Sequence, residues 1–122
     1  MPPTSPRASY AYKAHAAARL RAGGWIAVPR DLLVALGTRA GVLVAHLISL
    51  GQLRADPDGW IMATPRFVED GVGIPAEAQE RILDRLVEDG IAEVTYRHRC
   101  RSRYIRVDVA RIEQIVREGG CP

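Results

Sequence analysis

The sequence predicts an α+β domain, mainly helical, with a β-hairpin near its C-terminus and flanking helices at both ends. Three observations predict this class. Apolar residues recur at helical spacing over 39–53 and 76–89. Two runs of strict alternation, "IAEVTY" at 91–96 and "RYIRVDV" at 103–109, flank a short polar stretch. Ser-Pro, Thr-Pro and glycine punctuation falls where helices should begin and end. At 122 residues, 48% hydrophobic and 25% charged, the chain suits one folded domain able to bury a modest core.

The elements follow in order. "MPPTSP" has no periodicity and reads as a tail. Ser5-Pro6 can open an Ala-rich helix that Gly23-Gly24 ends. "WIAV" at 25–28 reads as a short strand, and Pro29 starts a short helix ending at Gly37. Thr38 is expected to cap the next helix, whose Leu43, Leu47 and Leu50 share a buried face widened by Val44 and Ile48. "DPDG" at 56–59 is a turn, and "WIMAT" at 60–64 reads as a strand of about five residues.

Thr64-Pro65 repeats the cap-and-proline signal and opens a helix of roughly two turns, broken by "GVG" at 71–73. Pro75 restarts a helix to Asp89, with Ala78, Ile82, Leu83, Leu86 and Val87 inward. Its outward side holds Glu77, Glu80, Arg81, Asp84, Arg85 and Glu88. In the hairpin, Ala92, Val94 and Tyr96 share one face, and Ile105, Val107 and Val109 another. A last helix over 110–118 carries the stripe Ile112, Ile115, Val116. These elements divide the chain into a basic N-terminal arm or helix (1–24), a core domain (25–109) and a C-terminal helix and tail (110–122).

Charge is segregated although the net value is only +3. Residues 1–30 contain five cations and no acid, residues 57–90 sum to −5, and residues 91–111 sum to +4. The densest stretch is "YRHRCRSRY" at 96–104. Such separation can encode a binding face.

From "WIMATPRFVEDGVGIPAEAQERILDRLVEDGIAEV" the chain resembles a winged helix-turn-helix domain. A strand leads to a helix capped after an Ala-Thr pair, then a turn, then a recognition helix. Leu83 and Leu86 take the paired-leucine positions, and Gly90-Ile91 takes the step into the wing. The resemblance covers about residues 25–109. It implies a recognition helix set in the major groove and a wing touching backbone or minor groove.

Carried onto this sequence, it implies double-stranded DNA contacts from Ala76, Glu77, Glu80 and Arg81, with Asp84 beside them and Arg66 in the preceding helix. Arg97, His98, Arg99, Arg101 and Arg103 would form the wing contact. The acids depart from the family pattern, because a face of net −2 is repelled by phosphate, though Glu can accept from cytosine. The alternative readings are that Glu77 and Glu80 serve the helix itself, through its dipole and a Glu77–Arg81 (i, i+4) pair, or meet a basic protein. The wing, likewise, could be a solvated tip protecting a sheet edge.

The expected function is therefore a double-stranded DNA-binding regulator of transcriptional, phage or plasmid type, acting as a homodimer. The alternative is a winged-helix protein-interaction module, or a replication-initiator domain, with a protein partner at the acidic helix. The dimer is expected because the Ala-rich N-terminal helix and the C-terminal stripe have few partners within one domain.

Other chemistry is not expected. His15, His46 and His98 have no ligand-spaced neighbours, and His98 with Cys100 gives at most two ligands, so no metal site is read. His46 reads as a core residue. Cys100 and Cys121 should be free thiols, with a reducing cytoplasm as the default. There is no phosphate-binding loop, no "GxSxG" and no framed carboxylate pair, so neither a cofactor nor an enzymatic activity is read. The N-terminus lacks the apolar run of a secretory signal, and no stretch approaches the roughly 18–20 apolar residues that span a bilayer, so no membrane association is expected.

Overall fold

A computed structural model describes Gly24, residues 26–99 and residues 102–119 of the chain. Among these residues the fold is α+β, with five helices and one three-stranded antiparallel sheet.

Helix α1 (Arg30–Leu36) and helix α2 (Thr38–Arg54) are separated by a single residue, Gly37. Its φ of 90° is a backbone conformation that residues with a side chain rarely adopt, so glycine permits this abrupt change of direction. Gly37 is thus the N-cap of α2. Thr38, the expected cap, is the first helical residue, and no side chain caps α2. The expected strand at 25–28 does not form over the described residues 26–28, which have no regular structure.

Helix α2 is the spine of the core. Leu43, Val44 and Leu47 are fully buried, and Leu50 nearly so. A turn follows in which the Asp56 carboxylate accepts from the backbone N–H groups of Asp58 and Trp60, both at 2.9 Å. Strand β1 (Ile61–Met62) is only two residues long rather than five, although Ala63 N–H still reaches Arg103 O at 2.9 Å.

Thr64 caps helix α3 (Pro65–Val72), its hydroxyl accepting from Phe67 N–H at 3.3 Å with proline in the first turn, as the sequence predicts. Helix α4 (Ala76–Glu88) follows after Ile74, which is buried in the turn. Ala78, Leu83 and Leu86 face the core as expected. Val87 does not, being 46% exposed.

Strands β2 (Ala92–Arg97) and β3 (Ser102–Val107) pair from Ala92↔Val107 to Arg97↔Ser102, and the sheet order is β1-β3-β2. Val109 does not continue β3. It opens helix α5 (Val109–Arg117), capped by the Asp108 carboxylate accepting from Arg111 N–H at 3.0 Å. The stripe on α5 is already covered within the chain. Ile112 and Ile115 are buried, and Val116 packs against the same core. This stripe therefore has its partners within the chain, while the Ala-rich N-terminal segment, with Cys100, Arg101 and Cys121, lies outside the described residues.

Candidate functional site

Helix α4 runs away from the turn at Ile74, and β2 comes back alongside it. Val94 and Tyr96 line one groove with Ala76, Glu77, Glu80, Leu83, Asp84 and Val87, and Tyr96 pairs across the hairpin with Arg103, whose guanidinium reaches Gln79 near the start of α4. The Tyr96–Arg103 end of the hairpin therefore lies by the start of α4. The start of α3 sits at the same end, since Pro65 borders the same groove and Arg66 follows it on the surface. Of the residues singled out in the sequence, Ala76, Glu77 and Glu80 border this groove and Arg66 follows Pro65 in the chain, whereas Arg97, next to Tyr96, is turned to the opposite sheet face and His98 and Arg99 continue into the tip.

The tip turns tightly. His98 and Arg99 are both exposed and both left-handed, with φ of 56° and 60°. That region costs a non-glycine residue roughly 1–2 kcal/mol, so the tip is a strained turn. Arg97 is held by its neighbours, with its guanidinium 4.3 Å over the Tyr104 ring, 6.0 Å from Trp60 and 3.8 Å from the Asp56 carboxylate. Arg106 repeats the pattern, 4.5 Å over Trp60 and 2.8 Å from Glu93. The outer sheet face is thus an arginine–aromatic ladder with its own counter-charges.

Arg103 is the main correction to the sequence reading. It is not a wing contact, because only 4% of its surface is exposed. Arg103 Nε donates to Ala63 O at 2.8 Å, and Nη2 donates to Gln79 Oε1 at 2.7 Å. Gln79 Nε2 in turn donates to Ile74 O at 2.7 Å and Pro65 O at 3.0 Å. One buried network thereby ties β3, the β1–α3 connection, the interhelical turn and α4 together. Burial pulls the Arg103 pKa below the ordinary arginine value, opposed by the nearby Tyr96 and Glu80. Two sequence signals pointed here. Arg103 lies two residues before inward Ile105, and Gln79 lies four before Leu83 and seven before Leu86 on the inward stripe.

Arg81 does not join the acids. With Arg85 and Asp89 it lines a second groove of about 350 Å³ against Ala35, Leu36 and Ala40. The Glu77–Arg81 pair does not form. Within α4, Glu77, Glu80 and Asp84 therefore border β2, while Arg81 and Arg85, with Asp89 just beyond the helix, border α1.

His46 is buried at 7% exposure, with neither ring nitrogen partnered. It stacks near Phe67, centroids 6.5 Å apart, and a Cβ on Gly71 would stand only 2.9 Å from its Nε2. Burial lowers its pKa. Among the described residues no three His, Cys, Asp or Glu side chains converge as a metal site, and no helix is long and apolar enough to cross a membrane. Comparison of the chain with models of known families, with curated proteins and with solved structures gives no match.

Proposed function

We propose that the chain is a winged helix-turn-helix module that binds double-stranded DNA as a regulator. The observation that carries the reading is the linkage of three elements: Tyr96 of β2 pairs with Arg103, Arg103 donates to Gln79 near the start of α4, and Gln79 donates to Pro65 O at the start of α3. The order α2-β1-α3-α4-β2-β3, with β3 central in the sheet, supports the same reading. In this reading α3 and α4 form the helix-turn-helix and the β2–β3 hairpin is the wing.

The phosphate contacts fall to Arg97, Arg99 and Arg101 on the wing, with His98 between them and Arg66 beside them. The start of α4 offers Ala76 to a base edge, while Glu77 and Glu80 reject phosphate and tolerate only a donor such as cytosine N4. The homodimer belongs to the same proposal, with light scattering at tens of micromolar as its test.

Duplex affinity measured across a salt series tests the function. Each arginine neutralising a phosphate contributes about 0.9 to the slope of log K against log salt. The Arg97→Ala, Arg99→Ala, Arg101→Ala triple variant should weaken binding to every duplex and flatten the slope by up to about 2.7. An unchanged slope in that variant, or no duplex binding by the parent at low salt, rejects the proposal.

A further inference from the structure

Between α4 and β2 runs a groove of about 460 Å³ whose two sides differ in character. Leu83, Val87, Val94 and Tyr96 make it apolar, and Val87 and Tyr96 are 46% and 55% exposed. Glu77, Glu80 and Asp84 stand exposed along the α4 rim. None of the three is in an ion pair among the described residues. Arg103 also lines the groove, and its Nη1 makes no hydrogen bond among those residues. The strand beside the groove is an edge: β2 pairs with β3 on one side, and no described strand covers the other.

An apolar trough, a carboxylate rim and an open strand edge favour one kind of occupant. We propose that this groove receives an extended, basic segment of a partner protein, added along β2 as a further strand. The edge supplies main-chain hydrogen bonds, and the trough selects alternate side chains. An apolar residue flanked at two-residue spacing by arginine or lysine matches it. The apolar side chain lies on Leu83, Val87 and Val94, and the two cations reach the rim. Positions i and i+4 of a strand are about 13 Å apart. Glu77 and Asp84 are separated by about 10.5 Å of helix rise, within the reach of a long cationic side chain. A backbone carbonyl of the segment can accept from Arg103 Nη1. The trough and the strand edge are the recognising features, so this inference does not rest on the DNA-binding reading.

The test uses the full chain and a fluorescein-labelled, end-capped peptide with the core Arg-Thr-Leu-Thr-Arg, read by fluorescence anisotropy. Saturable binding is expected, together with slowed amide exchange across β2. The Glu77→Gln, Glu80→Gln, Asp84→Asn variant should bind about tenfold more weakly, the combined effect of losing the rim charge that faces the two peptide arginines. These positions are on the surface, and an unchanged melting curve verifies the fold. Arg99→Ala with Arg101→Ala should leave peptide affinity unchanged whatever it does to duplex binding, which separates the two readings. Equal affinity for the rim variant, or for a peptide with Glu in place of Arg, overturns the proposal. So does binding that emerges only after Arg7, Lys13, Arg19 and Arg21 become Ser, because the groove would then belong to the chain's own N-terminal segment.

Discussion

Replacing Arg103 by Ala should destabilise the fold more than any other single arginine change in the hairpin. The guanidinium donates two hydrogen bonds inside the protein, to Ala63 O and Gln79 Oε1. Bonds from a charged donor are worth about 1.5–3 kcal/mol each, and their loss leaves two buried acceptors without donors. Removing the cation also relieves the cost of burying it, which offsets part of that loss. A net loss of about 2–4 kcal/mol follows. In urea, with a slope of about 1.5 kcal/mol per molar, the midpoint should fall by roughly 1.5–2.5 M without a change of slope. Arg103→Met keeps the apolar stem and should recover little, because the hydrogen bonds are what is lost.

Circular dichroism during urea unfolding measures this directly. Combining Arg103→Ala with Gln79→Ala should give a coupling of about 1–3 kcal/mol, since the second change removes a partner already stranded. By contrast, Arg99→Ala at the exposed tip should stay within about 0.5 kcal/mol of the parent. A midpoint for Arg103→Ala within about 0.2 M of the parent would refute the reasoning and return Arg103 to the surface.

Two further outcomes concern stability. His46 has a pKa lowered by burial from its ordinary 6.5, so the unfolded chain binds the proton more readily than the folded one. Its contribution is fully present above about pH 6.5 and is lost as pH falls from there toward the folded value, with a slope of up to about 1.4 kcal/mol per pH unit. Urea midpoints for the parent and His46→Leu should therefore diverge between pH 7.5 and 5, and parallel curves would remove His46 as the cause. At the other end of the fold, Asp108→Ala removes the carboxylate that caps α5 and should cost about 1 kcal/mol in the same assay. No measurable loss would mean that the cap is replaced by water.

Much of the architecture was legible locally. Thr64-Pro65 carries its own cap and its own missing donor, so the start of α3 depends on nothing distant. The Leu43, Leu47, Leu50 spacing marks the buried face of α2 in the same way. Thr38 shows where local reasoning stops. A left-handed glycine can cap a helix through backbone direction alone, and the cap signal one residue later then goes unused. The strand expected at 60–64 shortened because its pairing depends on where β3 lies, and that partner is forty residues away.

The sequence by itself determined the helices, the hairpin and the concentration of arginine between Tyr96 and Tyr104. Which arginines meet solvent was decided by tertiary structure. Six residues separate Arg97 from Arg103, a spacing that would put both on one face of a continuous strand. The hairpin pairs Arg97 with Ser102 and Tyr96 with Arg103, so residues of opposite parity share a face across the turn. Arg97 is consequently turned toward Trp60 and Tyr104, and Arg103 toward the helices. A cation can remain buried there only because Gln79, twenty-four residues earlier, brings an amide oxygen within 2.7 Å. No local pattern encodes that meeting, since it exists only once α4 and β3 have packed.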